Sequence, residues 1–149
     1  MGARTVTEKE VFLKLRRIQY LDLALARLRK ERDLVLIHAA DVKGINYERT
    51  RRSGGKTDLA AVVERIEEKR AKLTDRILEE SERVLQEKEE AMNMIRLCTN
   101  EAARAILTDR YLLGLKWEKV AKNYNYDPRH IRRIHSAAIK EISEKSKMS

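Results

Sequence analysis

The chain has 149 residues, enough for one domain or two small ones, and 38% of them are charged, with a formal net charge of +9. Only 5% are aromatic, and 5 glycines and 1 proline leave few helix breakers, which favours a protein of long helices. No apolar run approaches the roughly 18 residues of a membrane span, the start lacks a signal peptide's apolar stretch, and the single cysteine, Cys98, excludes an internal disulfide. We therefore expect a cytoplasmic protein without a membrane partner.

The net positive charge is concentrated in two segments. From Lys43 to Lys56, five basic residues accompany one acidic residue, and from Lys116 to Lys140, seven accompany two, so that the rest of the chain is neutral. Two basic segments on a balanced scaffold indicate a polyanionic partner. The alternative is a solvated basic surface.

Two long helices are predicted in the first two thirds of the chain. Apolar residues recur at steps of three, four or seven over residues 7–42 and again from 58 to about 97. Thr7 followed by Glu10 fits a capping box at the start of the first helix. The heptad-like spacing predicts that the helices pack as a hairpin, against a partner chain, or both. Residues 1–98 are therefore predicted to form a two-helix, coiled-coil-like region.

The segment between these helices, residues 43–57, reads KGINYERTRRSGGKT and is predicted to be a flexible basic loop, because it contains three glycines, an asparagine and a serine. Its GGKT ending resembles the tail of a phosphate-binding loop. That motif requires a glycine five residues before Gly55, where Thr50 stands, and no strand-like run precedes it. We therefore reject a nucleotide site here.

Three shorter helices are predicted in residues 99–149, which we treat as a second domain. The first covers Glu101–Leu113, and Gly114 suits the left-handed residue that follows a helix. The others run from Trp117 to about Tyr124 and from Pro128 to about Ser143. Because no segment shows sustained strand alternation, the predicted fold is all-α: a long helical hairpin followed by a C-terminal pair of helices.

That C-terminal pair fits a helix-turn-helix. The first helix needs a small residue where the second helix crosses it, and Ala121 is suitable. Four residues later the turn needs a residue that tolerates positive φ, and Asn125 is the next best choice after glycine. Asp127 is a favourable N-cap, and Pro128 suits the first helical position. Ile131 and Ile134 then line the buried face, so each position agrees with the same unit.

The outward face of the second helix is the candidate DNA-reading surface. Its exposed side chains are predicted to be Arg129, His130, Arg132, Arg133 and Ser136, on the half of the helix that enters the major groove in such units. Arginine binds the O6 and N7 atoms of guanine with two hydrogen bonds, which makes these residues candidate base readers. Side chains placed to contact phosphates are Lys116, Lys119, Lys140, Arg49, Arg51, Arg52 and Lys56.

The stretch ARAILTDRYLLGLKWEKVAKNYNYDPRHIRRIHSAAIKEI, about the last third of the chain, resembles region four of bacterial sigma factors, which reads the −35 promoter element. The matching features are Arg110-Tyr111 before a glycine-containing loop, Val120-Ala121, and DPRHIRRIHSAAIKEI in place of the recognition helix. The whole chain, with its long helical part and central Ser-Gly segment, is similar to phage proteins of the RinA/ArpU type. Those are helix-turn-helix regulators of late phage transcription.

Departures from the sigma pattern refine what the resemblance implies. Lys116 stands where Thr or Ser usually caps the first helix, Asn125 replaces glycine in the turn, and nothing matches the other sigma regions. The resemblance therefore implies a phage or prophage late-gene activator rather than a complete sigma factor. RNA polymerase is a further partner that it suggests, although no residue supports that contact.

No catalytic, metal or cofactor constellation is found, so we expect a protein that is not an enzyme. His130 and His135 are five residues apart and do not share a helix face, and Cys98 fits a buried small side chain better than a nucleophile. The leading hypothesis is a sequence-specific regulator that binds double-stranded DNA, as a homo-oligomer with a dimer favoured. Two alternatives remain: a small terminase subunit that binds phage DNA for packaging, and a helical scaffold whose basic face meets an acidic protein.

Overall fold

A computed structural model of the chain describes residues 6–53 and 56–146, without the side chains of residues 43, 45–53 and 56–58. These residues form five α-helices and one π-helical turn that continues the third of them. The elements are α1 (Glu8–Ser53), α2 (Lys56–Ile95), α3 (Glu101–Leu107), the π turn (Thr108–Leu112), α4 (Trp117–Tyr124) and α5 (Pro128–Ser146). No strand occurs among the described residues, which confirms the all-α prediction.

Helix α1 begins as predicted but ends later. The backbone N–H of Glu10 donates to Oγ1 of Thr7 over 3.2 Å, as expected of a capping residue. The predicted end at Val42 is wrong, because the helix continues to Ser53. The expected basic loop is therefore helical over most of residues 43–57, with residues 54–55 outside the description. A single glycine such as Gly44 costs a helix only about 1 kcal/mol, and Arg, Lys and Glu are good helix formers.

The described chain divides into two compact units. The first, which we call the terminal unit, contains residues 1–22 and 84–149, and the second, the middle unit, contains residues 23–83. This grouping differs from the division predicted after residue 98, because the beginning of α1 and the end of α2 pack with the C-terminal helices. The proposed site lies wholly in the terminal unit.

The core of the terminal unit joins α1, α2, α3 and α5. Val11, Leu15 and Ile18 of α1 are fully buried against the end of α2 and against α5. An ion pair of 2.7 Å between Lys14 and Glu90 supports the contact of α1 with α2. Farther along α5, the Ser143 hydroxyl donates to the backbone carbonyl of Val6 over 2.6 Å. The start of α1 is thereby fixed along one side of α5.

The middle unit contains the remaining parts of α1 and α2. Leu25, Leu28 and Ala39 are buried on α1, and Leu73 and Ile77 are buried on α2, all on the apolar stripes predicted from the sequence. Within the described ranges, neither long helix contains an apolar stretch sufficient to cross a membrane.

Candidate nucleic-acid interface

The turn between α4 and α5 has the backbone geometry expected from its residues. Asn125 adopts φ 54° and ψ 39°, the left-handed conformation that was predicted for it. The N–H of Tyr126 donates to the carbonyl of Ala121 over 3.0 Å, and the N–H of Asn125 donates to that of Lys122 over 3.3 Å. This pair of bonds is a Schellman motif, which satisfies the carbonyls that α4 leaves free at its end. The carbonyl of Asp127 then accepts the first bond of α5, from the N–H of Ile131.

A small apolar cluster holds α4 and α5 together over α3. Ile106, Val120 and Ile131, one from each helix, are almost completely buried at its centre. Residues packed around them are Leu115, Trp117, Ala121, Tyr124, Tyr126 and Ile134. The inward positions predicted from the sequence, Ala121, Ile131 and Ile134, are therefore all in this cluster. Their burial fixes which side of α5 faces outward.

All five predicted base-reading residues are exposed on α5: Arg129, His130, Arg132, Arg133 and Ser136. Four of them occupy one face of the helix, because residues 129, 132, 133 and 136 follow the i, i+3, i+4, i+7 spacing. His130 lies at the edge of this face, with its ring 4.8 Å from that of Tyr126 in an edge-to-face contact. The structure thus brings the four together and places His130 beside them.

The cations of this surface are not neutralised within the described chain. None of Arg129, Arg132 and Arg133 forms an ion pair or hydrogen bond with another described residue, whereas the ion pairs that are formed use Lys14, Arg70, Lys88 and Lys145. Three lysines predicted to contact phosphate are also exposed and form no ion pair or hydrogen bond with a described residue: Lys116, Lys119 and Lys140. The other four predicted phosphate contacts lie where side chains are not described: Arg49, Arg51, Arg52 and Lys56.

Two depressions flank the outward face of α5. A cleft of about 440 Å³ lies between α1, α4 and α5, and its lining includes Phe12, Trp117, Arg132 and Ser136. On the other side, a wider groove of about 650 Å³ between α3 and α5 is lined by His130, Arg133, Lys140 and others. The outward face therefore stands as a ridge between two depressions.

His135 points away from this face and into an aromatic cluster. Its Nε2 lies 2.6 Å from the hydroxyl of Tyr111, and the rings of Phe12 and Trp117 contact it edge to face at 5.9 and 5.2 Å. Burial, followed by the positive charge of Arg110, lowers the pKa of His135 below its ordinary 6.5. Burial also raises the pKa of Tyr111 to about 12. At neutral pH an uncharged imidazole and a protonated tyrosine hydroxyl therefore share this hydrogen bond, and the tautomer of the imidazole sets which of them donates.

Hydrogen bonds outside the turn connect α4 and α5 to other parts of the terminal unit. The hydroxyl of Tyr124, near the end of α4, donates to the carboxylate of Asp109 in the π turn over 2.7 Å. That hydrogen bond is the main reason why the pKa of Tyr124 rises to about 12. At the other end of the unit, Thr99 donates to the carboxylate of Glu141 on α5 through its N–H and its hydroxyl, at 3.0 and 2.8 Å. These contacts connect α4 and α5 to neighbouring elements, and no pattern in the sequence predicted them.

One cation on α1, which the sequence did not indicate, stacks on a ring that lines the cleft beside α5. The guanidinium of Arg16 on α1 lies 6.0 Å from the ring of Phe12 and 5.8 Å from that of Tyr20. Only the four-residue spacing of Phe12, Arg16 and Tyr20 could have indicated this stacking, and nothing in the sequence places α1 next to α5.

The side chains exposed at this site are mainly hydrogen-bond donors. Burial raises the pKa of the Cys98 thiol to about 11, so the thiol stays protonated and is a poor nucleophile at neutral pH. Across the part of the chain that the structure describes, no three His, Cys, Asp or Glu side chains are grouped to hold a metal ion. The exposed groups are instead guanidinium, ammonium and hydroxyl donors.

Comparison with known proteins adds no identification. The chain matches no protein-family model, no curated protein and no solved structure.

Proposed function

We propose that this protein is a sequence-specific regulator of transcription that binds double-stranded DNA through a helix-turn-helix formed by α4 and α5. The observation that carries the proposal is the outward face of α5, where Arg129, Arg132 and Arg133 are exposed without a described ionic partner. Unpaired cations on one face of a helix are suited to a polyanion. A tight turn that fixes this helix over an apolar cluster provides the rigidity that base reading requires.

The roles of individual residues follow from their position. Arg129, Arg132 and Arg133 would donate to guanine O6 and N7 in the major groove, and Ser136 would contact a base or a phosphate. The ammonium groups of Lys116, Lys119 and Lys140 would contact the phosphates that border the groove and would fix the register of the protein on the duplex. His130, held against Tyr126, contributes to the edge of the same surface.

The proposal includes a dimer. On α2, Leu78, Leu85 and Met92 recur every seven residues and remain 64%, 58% and 40% exposed. A heptad repeat of exposed apolar side chains on a long helix is typical of helices that pair with a second chain. Two copies joined along such helices would present two reading helices to two half-sites of one DNA duplex.

The test compares variants on a DNA site recovered by selection from random duplexes. Arg133→Ala should cost about 1–3 kcal/mol at that site and relax the preference at one base position. Lys119→Ala should weaken cognate and mixed-sequence DNA by the same factor and should reduce the salt dependence of binding. If Arg133→Ala leaves the sequence preference intact, then α5 does not read bases and the assignment fails.

A further inference from the structure

A cation on α1 stacks on a ring that lines the cleft beside the proposed reading face. The guanidinium of Arg16, on α1, is 6.0 Å from the centre of the Phe12 ring. Phe12 lines the same cleft as Arg132 and Ser136, two residues of the outward face of α5. Helix α1 therefore holds a positive charge next to an aromatic ring of the cleft that Arg132 and Ser136 also line.

Two aromatic rings fix the direction of this side chain. Phe12, Arg16 and Tyr20 are four residues apart, so all three lie on one face of α1. The guanidinium lies over both rings, at 6.0 and 5.8 Å, and cation–π attraction restrains it there. Tyr20 is 59% exposed, which places the stacked group at the surface rather than in the core.

The charge of Arg16 has no ionic partner among the described residues. Arg16 forms no ion pair or hydrogen bond with a described residue. By contrast, Lys14 on the same helix is paired with Glu90 at 2.7 Å. The Arg16 guanidinium is thus held in place by the two rings and has no ionic partner among the described residues. These are the properties expected of a group that binds an external anion.

We propose that Arg16 contacts a phosphate of the DNA that α5 reads, so that the nucleic-acid surface extends beyond the helix-turn-helix onto α1. This inference rests on the proposed function. An α-helix with its side chains is about 10–12 Å in diameter and the major groove is about 12 Å wide, so α5 fills the groove. A cation at the side of α5 then meets the sugar-phosphate strand that borders the groove. Such a contact positions the protein without reading sequence.

The experiment measures the affinity of the full-length protein for the selected duplex, and for a mixed-sequence duplex, across a series of KCl concentrations. Arg16→Ala should lower the affinity for both duplexes by about five- to tenfold at 0.1 M salt and should reduce the slope of log affinity against log salt by about 0.9. Arg16→Lys should retain the wild-type slope, because the charge remains.

Arg17→Ala is the matched control. Arg17 is also an exposed arginine of α1, but the helical rotation of about 100° per residue turns it away from Phe12 and the cleft. It should therefore retain the wild-type slope. An equal effect of Arg16→Ala and Arg17→Ala, or no effect of Arg16→Ala, would overturn the proposal. Either result would leave the helix-turn-helix function standing if the wild-type protein still selects a sequence, whereas a wild-type protein that selects none removes the function itself.

Discussion

His135 shows how a single residue joins α5 to the rest of the terminal unit. Its imidazole lies among Phe12 of α1, Tyr111 of the π turn and Trp117 of α4, and its Nε2 shares a hydrogen bond with the tyrosine hydroxyl. Burial disfavours the charged form of this imidazole, and the positive charge of Arg110 adds repulsion. The buried ring therefore favours the neutral form, and its contribution to stability must depend on pH.

The direction of that dependence follows from the lowered pKa. Below about pH 6.5 the unfolded chain binds a proton at His135 that the folded protein does not, so the contribution of this group is present at higher pH and is lost as the pH falls. We expect the free energy of unfolding of the wild-type protein to fall by more between pH 7.5 and 5.5 than that of His135→Phe. Urea denaturation at both pH values measures the difference. Identical decreases in both proteins would contradict the buried neutral histidine.

Position 125 is a second single-residue test, because its conformation is unusual for a side chain with a Cβ. Left-handed backbone costs an L-residue about 1–2 kcal/mol, less for asparagine and nothing for glycine. Asn125→Gly should keep or increase the melting temperature, and Asn125→Val should decrease it by an amount equivalent to about 1–2 kcal/mol. Thermal denaturation followed by circular dichroism distinguishes them. Equal melting temperatures for the two variants would show that the turn does not require positive φ.

Residue-scale predictions from the sequence succeeded where the cause is local. The left-handed Asn125 and the inward Ile131 follow from turn chemistry and helical spacing, which involve only near neighbours in the chain. The positions of His135 and Arg16 could not be predicted in the same way. Both depend on the packing of α1 against α5, more than a hundred residues away in sequence, which no local pattern specifies.

At the scale of elements, the C-terminal helices were predicted more accurately than the long ones. Helix α4 has the predicted bounds, and α5 begins at the predicted Pro128. The reason is that Asn125 is a residue suited to the end of a helix, and Asp127 and Pro128 are residues suited to the start of one. The predicted end of α1 is too early, because a glycine and an asparagine do not end the helix among charged residues that are good helix formers. The π turn at Thr108–Leu112 was also not foreseen, although a helix over this stretch was.

The contact between α4 and α5 depends on the small cluster beneath them, so a cavity there should loosen the pair. Ile131 is 3% exposed and packs with Ile106 and Val120 at the centre of this cluster. Ile131→Ala should lower the free energy of unfolding by about 2–5 kcal/mol. Ala137→Ser on the exposed side of α5 serves as the control and should change it by less than about 0.5 kcal/mol. Chemical denaturation of both variants gives the comparison, and a small effect of Ile131→Ala would refute the cluster's role.

At the scale of the whole molecule, the proposal requires two copies. The exposed heptad residues of α2 would be covered in a dimer, so Leu78→Glu combined with Leu85→Glu should convert a dimer into a monomer by placing charges in the interface. Sedimentation equilibrium of the wild-type and double-variant proteins measures this directly. Gln86→Glu adds a charge on the same helix between heptad positions and should leave the dimer intact. A wild-type monomer at micromolar concentration would contradict the dimer.

The central claim, that the α5 face reads DNA sequence, is tested most directly by selecting binding sites from random duplex DNA with the wild-type protein at near-physiological salt. The account predicts recovery of a defined motif, and a two-fold repeat within it would match two reading helices. No enrichment, together with binding that disappears as salt rises, would mean that the exposed arginines supply only electrostatic attraction. That result would contradict sequence-specific regulation and would favour DNA packaging or a scaffold role.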